Sequence, residues 1–300
     1  MVRAREPDLA GYVVRDGVRL YYEVHGSGPA TVFLMPTWCA IDSRAWKMQV
    51  PYLARHARVV VADPRGNGRS DRPLDPMAYS DAELVADAVA VLDATDTAAA
   101  VCVGLSMGAR VLLQLATAHP DRVVGAVFVG PSVRMREVAP ACWSSDSTFE
   151  GPVRSESGWG RFNAEYWRRD LPGFARWFFG EVFPEPFSSK HVDDAVGWVA
   201  GTDAETLIAA ERAPFLDREP SPGPTGAARL AALVRCPALV VHGDDDRIVP
   251  LDTAQLLAEA LGAPLELVVG GGHCVHARHP VWFNHRLLRF VEEVGVGARA

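Results

Sequence analysis

Lysine is nearly missing from this chain of 300 residues: it occurs only at Lys47 and Lys190, and arginine carries the rest of the positive charge. We read that bias as codon usage in a GC-rich genome, not as a binding feature. Acidic residues outnumber basic ones, 37 to 30, for a formal net charge of −7. No basic stripe interleaved with aromatics occurs, which argues against nucleic acid as a partner. Cysteine is sparse. The five, Cys39, Cys102, Cys142, Cys236 and Cys274, are odd in number and scattered. Without a C-x-x-C pair they indicate neither a disulfide framework nor a zinc site. Cys102 and Cys236 lie in or beside apolar runs and read as small core residues. An H-E-x-x-H cluster is also absent, so no metal is expected. Nowhere do about 18 apolar residues run together, and the first residues, "MVRAREPDLAGYVVRDG", lack an apolar h-region. The expectation is a soluble, cytoplasmic protein with no membrane partner.

What is present suits a folded globular protein. Hydrophobic residues make up 49 % of the chain and charged ones 22 %, enough for a sizeable core. "GYVVRDGVRLYYEVHGSG" alternates apolar and polar residues around Asp16-Gly17, a hairpin pattern. Short apolar runs follow at 31–35, 58–63, 98–104 and 122–130, each of the kind a strand buried on both faces requires. Between them, 43–55, 80–95 and the run after Ser106 carry helical spacing, the last stopped by Pro120. The rhythm breaks from about Pro131 to Gly226, where aromatics crowd in, and resumes at 236–243 and 264–271 before a C-terminal helix. The reading is an α/β fold: a mostly parallel sheet of about eight strands with helices on both faces. Residues 1–130 and 227–300 form its core domain, and residues 131–226 form a helical lid inserted after the sixth strand. "REPSPGPTG" (218–226) is the lid's Pro/Gly-rich exit, and no internal repeat occurs.

Gly104-Leu105-Ser106-Met107-Gly108 matches G-x-S-x-G between a predicted strand and a predicted helix. That turn exposes a serine oxygen, with glycines where side chains would collide. A serine hydroxyl is protonated near neutral pH, so it needs a base, and the base needs an acid to orient it. For this elbow the chain order is Ser, acid, His. "VVHGDDDRIVP" (240–250) offers the acids Asp244, Asp245 and Asp246 at a strand end; "VVGGGHCVHARHP" (268–280) offers His273, His276 and His279 after the next strand. All emerge on the side where Ser106 emerges.

On these residues the chain resembles the α/β-hydrolase superfamily over nearly its whole length outside the lid. The resemblance carries the acid to Asp246, through Gly243, Asp246, Val249 and Pro250 as G-x-x-D-x-x-V-P. It carries the base to His273, through Gly270-Gly271-Gly272-His273. His276 and His279 then face solvent or the lid, and His242 is a packed strand-end residue. The resemblance also implies an oxyanion hole from the backbone amide of Met107 and one from the first buried strand's loop. There "FLMPTWCA" has Pro36-Thr37 where the family usually has His-Gly, which assigns the second amide to Trp38. Thr37 is a further hydroxyl donor. "DPRGNGRS" (63–70) matches a structural turn of the family, built on Asp63 and Arg65. The Pro36-Thr37-Trp38 loop, this turn and "GWGRFNAEYWRRD" are similar to a bacterial subgroup related to domains found beside nucleotide cyclases. Relatives with the same layout that dehalogenate haloalkanes or open epoxides use Asp at the elbow, and Ser106 excludes them.

The implied activity is hydrolysis of an ester, thioester or lactone of a hydrophobic small molecule through an acyl-enzyme, without a cofactor. Thr37, Trp38, Trp159, Trp167 and Trp177 are the candidate substrate-binding residues, because pockets are mainly apolar. Arg154, Arg161, Arg168, Arg169 and Lys190 read as a solvated face, with an acidic substrate tail as the alternative. Carbon–carbon bond hydrolysis or acyl transfer on the same triad is the alternative activity, and a non-catalytic ligand sensor the alternative class.

Overall fold

The computed structural model describes residues 5–135, 149–218 and 225–297. Cys142, Trp143 and most of the Pro/Gly-rich exit lie outside the described residues. Eight strands form one sheet in the order β1-β2-β4-β3-β5-β6-β7-β8. The strands are β1 Leu9–Arg15, β2 Val18–His25, β3 Thr31–Leu34, β4 Arg58–Ala62, β5 Ala100–Leu105, β6 Val123–Val129, β7 Ala238–Gly243 and β8 Leu265–Val268. The first two pair antiparallel around Asp16 and Gly17, whose φ angles of 50° and 81° give the mirror-image turn that a tight hairpin prefers. From β4 to β8 every pairing is parallel.

Buried strands alternate sides, so both faces must be apolar. Val32, Leu34, Val101, Val103, Val127 and Val129 enter one core with Leu53, Phe283 and Leu287. Phe33, Cys102, Ala126 and Phe128 enter the other with Val85, Leu92, Leu112 and Leu257. This two-sided burial explains the unbroken apolar runs. The first core is backed by helices α1 Val50–Leu53 and α9 Pro280–Gly297, the second by α2 Asp81–Ala94, α3 Met107–Ala118 and α8 Leu251–Leu261. Ser80 caps α2 as expected, its side chain accepting from the Glu83 amide at 3.4 Å. Between β6 and β7 the described residues fold into α4 Ala164–Val182, α5 Ser189–Val199 and α6 Ala204–Arg212, followed by the short α7 Gly226–Ala231. Pro172 sits inside α4, and a non-helical Asp170 (φ −150°, ψ 69°) marks a kink there. Among the described residues no helix is long and apolar enough to cross a membrane.

The order reverses at β3: the chain steps from β3 to β4 on one side, and β5 then pairs with β3 on the other. Loops leaving the carboxyl ends of β3 and β5 therefore diverge and leave a crevice. The turn after β4 braces this region. Asp63 accepts from the Ser43 amide at 3.0 Å and the Arg69 amide at 2.9 Å. Arg65, 2 % exposed, makes two 2.5 Å bonds to Asp87 of α2 and one of 2.6 Å to the Ala78 carbonyl. Arg65 and Asp63 are structural, as expected.

Without Arg65 the buried Asp87 carboxylate keeps only Arg15, whose Nε donates to it at 2.8 Å, so Arg65→Met should cost about 1–3 kcal/mol of stability in urea unfolding. A loss below about 1 kcal/mol, the range of exposed pairs, would show that water reaches this network.

Candidate active site

Ser106 joins β5 to α3 with φ 54° and ψ −117°, a conformation that non-glycine residues rarely adopt. Holding it costs on the order of 1–3 kcal/mol, supplied by the surrounding packing. The flanking glycines follow from close approach. A Cβ on Gly104 would stand 2.4 Å from the Gly108 carbonyl oxygen, and one on Gly108 would stand 2.6 Å from that of Pro36. Only bare backbone fits. Ser106 is half-buried, so its side chain faces an accessible space. Among the described residues no protein acceptor takes the amide of Met107, at the amino end of α3, or that of Trp38. A helix amino end also carries partial positive charge.

The acid and base arrive on the loops after β7 and β8, which lock together by backbone. The Asp245 amide donates to Gly271 at 2.9 Å and the Asp244 amide to Val268 at 3.2 Å. A Cβ on Gly243 would lie 2.1 Å from the Gly271 oxygen, hence the glycine. The three neighbouring acids then separate. Asp244 is exposed and takes the Gly270 amide at 2.6 Å, and Asp245 is exposed beside Arg247. Asp246 turns inward, its side chain 1 % exposed, and Oδ2 meets His273 Nδ1 at 2.8 Å. Its Oδ1 accepts from the Ile248 and Val249 amides at 2.8 and 2.9 Å. Burial pushes the Asp246 carboxyl up, but adjacent His273, His242 and the donated Val249 amide together bring it below the usual carboxylate range. An ionised Asp246 can only accept, so His273 Nδ1 carries the proton and Nε2 is left basic. The His273 ring packs on Gly130, where a Cβ would come within 3.0 Å of Nδ1. Val129, one residue earlier, accepts the Ser106 amide at 2.9 Å. The two side chains thus flank the same end of β6. No hydrogen bond joins the Ser106 hydroxyl to the ring in this structure, and catalytic bonds commonly tighten only with substrate present.

Several expected residues take other roles. The Thr37 hydroxyl, in a residue 4 % exposed, donates to the Leu105 carbonyl at 2.8 Å. It holds the β3 loop on β5, with its hydroxyl proton given to backbone. Trp167 is 0 % exposed and donates to the Arg161 carbonyl, so it belongs to the core of the insertion. Trp159 and Trp177 remain half-buried, edge to face at 5.0 Å. Trp38 packs into the insertion, with ring centres 5.3 Å from Phe178 and 6.1 Å from Trp167. His276 does not face solvent. It is 1 % exposed, donates to the Ala45 carbonyl at 3.2 Å and packs at a tilt on the Trp46 ring, and burial pulls it down to about 3. His242 is a packed strand-end residue as expected, bonded to the Val249 carbonyl and lowered by burial. Arg168, Arg169 and Lys190 pair with Glu205, Glu156 and Asp194 on exposed faces.

One contact had no motif to announce it. The end of α4 grips the His273 loop: the His273 amide donates to Val182 at 3.2 Å, and the Gly272 amide to Glu185 Oε1 at 2.8 Å. Gly272 packs so closely on Pro184 that a Cβ would sit 2.4 Å from the proline ring. Arg278 donates to the Pro186 carbonyl at 3.0 Å. In sequence Glu185 is only an acid between two prolines.

A family model described as alpha/beta hydrolase fold matches residues 30–280. The chain is 30 % identical to a protein of Variovorax paradoxus provisionally named carbamate hydrolase RutD, over 92 % of this chain and 97 % of the relative. It is also 30 % identical to the 2-hydroxymuconate semialdehyde hydrolase of Pseudomonas sp. strain CF600, covering 92 % of this chain and 87 % of that one. Among solved structures, Est816, described as an N-acyl homoserine lactone degrading enzyme, superposes with a TM-score of 0.72 at 25 % identity, covering 93 % of this chain and all of the other.

Glu185→Leu removes the acceptor that fixes Gly272, and small misplacements at a reacting centre are costly. Its kcat on a chromogenic ester should fall roughly 10-fold or more with KM little changed. Glu185→Gln, which keeps an acceptor oxygen, should stay within a few-fold of the unaltered protein. Equal rates for Glu185→Leu and the unaltered protein would show that the loop keeps its shape without the clamp.

Proposed function

The chain belongs to the α/β-hydrolase fold family, and we propose that it is a serine hydrolase that cleaves an ester, thioester or lactone of a hydrophobic small molecule. That it is a hydrolase follows from the family and from its hydrolase-named relatives. The serine mechanism and substrate class are our reading, and the 2.8 Å contact of Asp246 with His273 behind a serine elbow is the observation that carries it. In this mechanism His273 Nε2 takes the proton of Ser106 as its oxygen attacks the carbonyl carbon. Asp246 holds the imidazolium that forms. The Met107 and Trp38 amides receive the developing oxyanion, each such donor being worth about 3 kcal/mol of barrier. His273 then protonates the leaving group, the acyl group stays on Ser106, and a water deprotonated by His273 releases it. Every step uses side chains and amides of this chain.

The insertion is the proposed lid. Its aromatic rings gather around Trp38, which supports an apolar substrate. The lactone-degrading structural neighbour is consistent with that class. A second reading is favoured by the relative named for a semialdehyde, a substrate without an ester to cleave: the same triad would break a carbon–carbon bond beside a carbonyl. A panel of p-nitrophenyl esters, lactones and a β-diketone separates the two by which is turned over.

Ser106→Ala and His273→Ala should each lower turnover by at least ~10⁴-fold with circular dichroism unchanged. Asp246→Asn should be far more damaging than Asp244→Asn or Asp245→Asn. Undiminished hydrolysis by Ser106→Ala would remove the serine mechanism, and a worse defect in Asp245→Asn would reassign the acid.

A further inference from the structure

The insertion and the segment that follows His273 meet along a seam of rings. His191 in α5 and His276 in the short helix Val275–Arg278 both line one cavity there, with Ile41, Phe179, Cys274 and Trp198 among its other walls. Its volume is about 20 Å³. Each imidazole has one nitrogen accounted for. His191 Nε2 meets the Ala277 carbonyl at 3.3 Å, and His276 Nε2 meets that of Ala45 at 3.2 Å. A carbonyl can only accept, so both Nε2 atoms carry the proton and both Nδ1 atoms present a bare lone pair. Among the described residues neither Nδ1 has a hydrogen-bond partner, and both atoms are buried. Burial holds both rings below the ordinary histidine range, so neither relieves the shortage by taking up a proton. Other rings cover them: Phe183 is centred 5.4 Å from His191, and Trp46 4.7 Å from His276. The cavity is the space that remains for a donor.

Two buried acceptors on one small cavity restrict what it can hold. An apolar filling would leave both lone pairs unpaired, each at the cost of a desolvated polar group. A cation is disfavoured, because the Lys47 ammonium is already in the wall, paired with Asp194, and Arg278 adds to the positive charge that His191 feels. A ligand of several heavy atoms exceeds the volume. A water molecule fits: it needs about 10–15 Å³ and two or more polar partners, and it brings one O–H for each ring. Its oxygen remains free to accept, and the Cys274 thiol in the same wall is a weak donor that burial keeps protonated. We propose that this cavity is a hydration site in which one water molecule donates to His191 Nδ1 and His276 Nδ1 together, tying the insertion to the segment that carries His273. The tie joins the same two parts as the Glu185 bond to Gly272, but through the residues after His273 instead of the one before it. It does not depend on which bond the enzyme cleaves.

The first test is a high-resolution crystal structure of the unaltered protein, read together with the ¹⁵N chemical shifts of its histidines near neutral pH. The expected result is a single water peak within about 2.7–3.2 Å of both Nδ1 atoms, with both rings as Nε2–H tautomers. A dry cavity, a peak that reaches only one ring, or an Nδ1–H tautomer at either position would overturn the proposal. Two substitutions then test the tie itself. His191→Gln keeps a donor for the Ala277 carbonyl but has no acceptor at the δ position, whereas His191→Asn keeps that acceptor and gives up the donor. Amide hydrogen exchange over residues 275–278 should quicken roughly 10-fold or more in His191→Gln and change only a few-fold in His191→Asn. The reverse order would show that the bond to Ala277 holds the seam, and equal rates in the two variants would show that the water ties nothing; either overturns the coupling.

Discussion

At the end of β5 the chain turns through Ser106 in a left-handed conformation, with Gly104 and Gly108 packed so tightly that neither tolerates a Cβ. That turn ties several things together. It sets Ser106 at the carboxyl end of β5, beside the point where the strand order reverses, and it starts α3 with Met107 as its first residue. It also presses Gly108 on the Pro36 carbonyl, fixing the β3 loop, and the Thr37 hydroxyl closes that contact on Leu105. The strain is sustained because β5 is fully buried between β3 and β6.

A second assembly is built on backbone contact between the loops after β7 and β8. Gly243 against Gly271 sets their distance, and the pair then presents Asp246 and His273 as one unit. The insertion is not a separate cover on this unit. Val182 and Glu185 bond the amides of His273 and Gly272, so a displacement of the end of α4 is felt at the imidazole. On its other side the insertion packs rings around Trp38. In the proposed mechanism, closure of the insertion over a substrate would be coupled to alignment of His273 through these hydrogen bonds.

Much of this was legible in the sequence because it depends on local rules. Strands buried on both faces must be apolar at every position, and a glycine that meets backbone must remain glycine. The hairpin at Asp16-Gly17, the eight strands, the elbow and the choice of Asp246 over Asp244 and Asp245 all follow from such rules or from a motif that embodies them. The errors share a different physical origin. Thr37 and Trp167 have side chains suited to a pocket, but one hydroxyl is consumed by Leu105 and one ring is buried among other rings. His276 looks like a surface histidine after a short loop, yet Ala45 and Trp46, more than two hundred residues earlier, enclose it. Glu185 has no local signature, because its surroundings are assembled by tertiary packing alone.

The central claim is that Ser106 is the nucleophile, activated by His273 held on Asp246. Peptide mapping by mass spectrometry after brief exposure to a fluorophosphonate tests it most directly, since such reagents phosphonylate an activated serine. The account predicts one adduct, on Ser106, formed in step with loss of ester hydrolysis and greatly slowed in His273→Ala. An adduct on another residue, or a fully labelled Ser106 with hydrolysis undiminished, would contradict it.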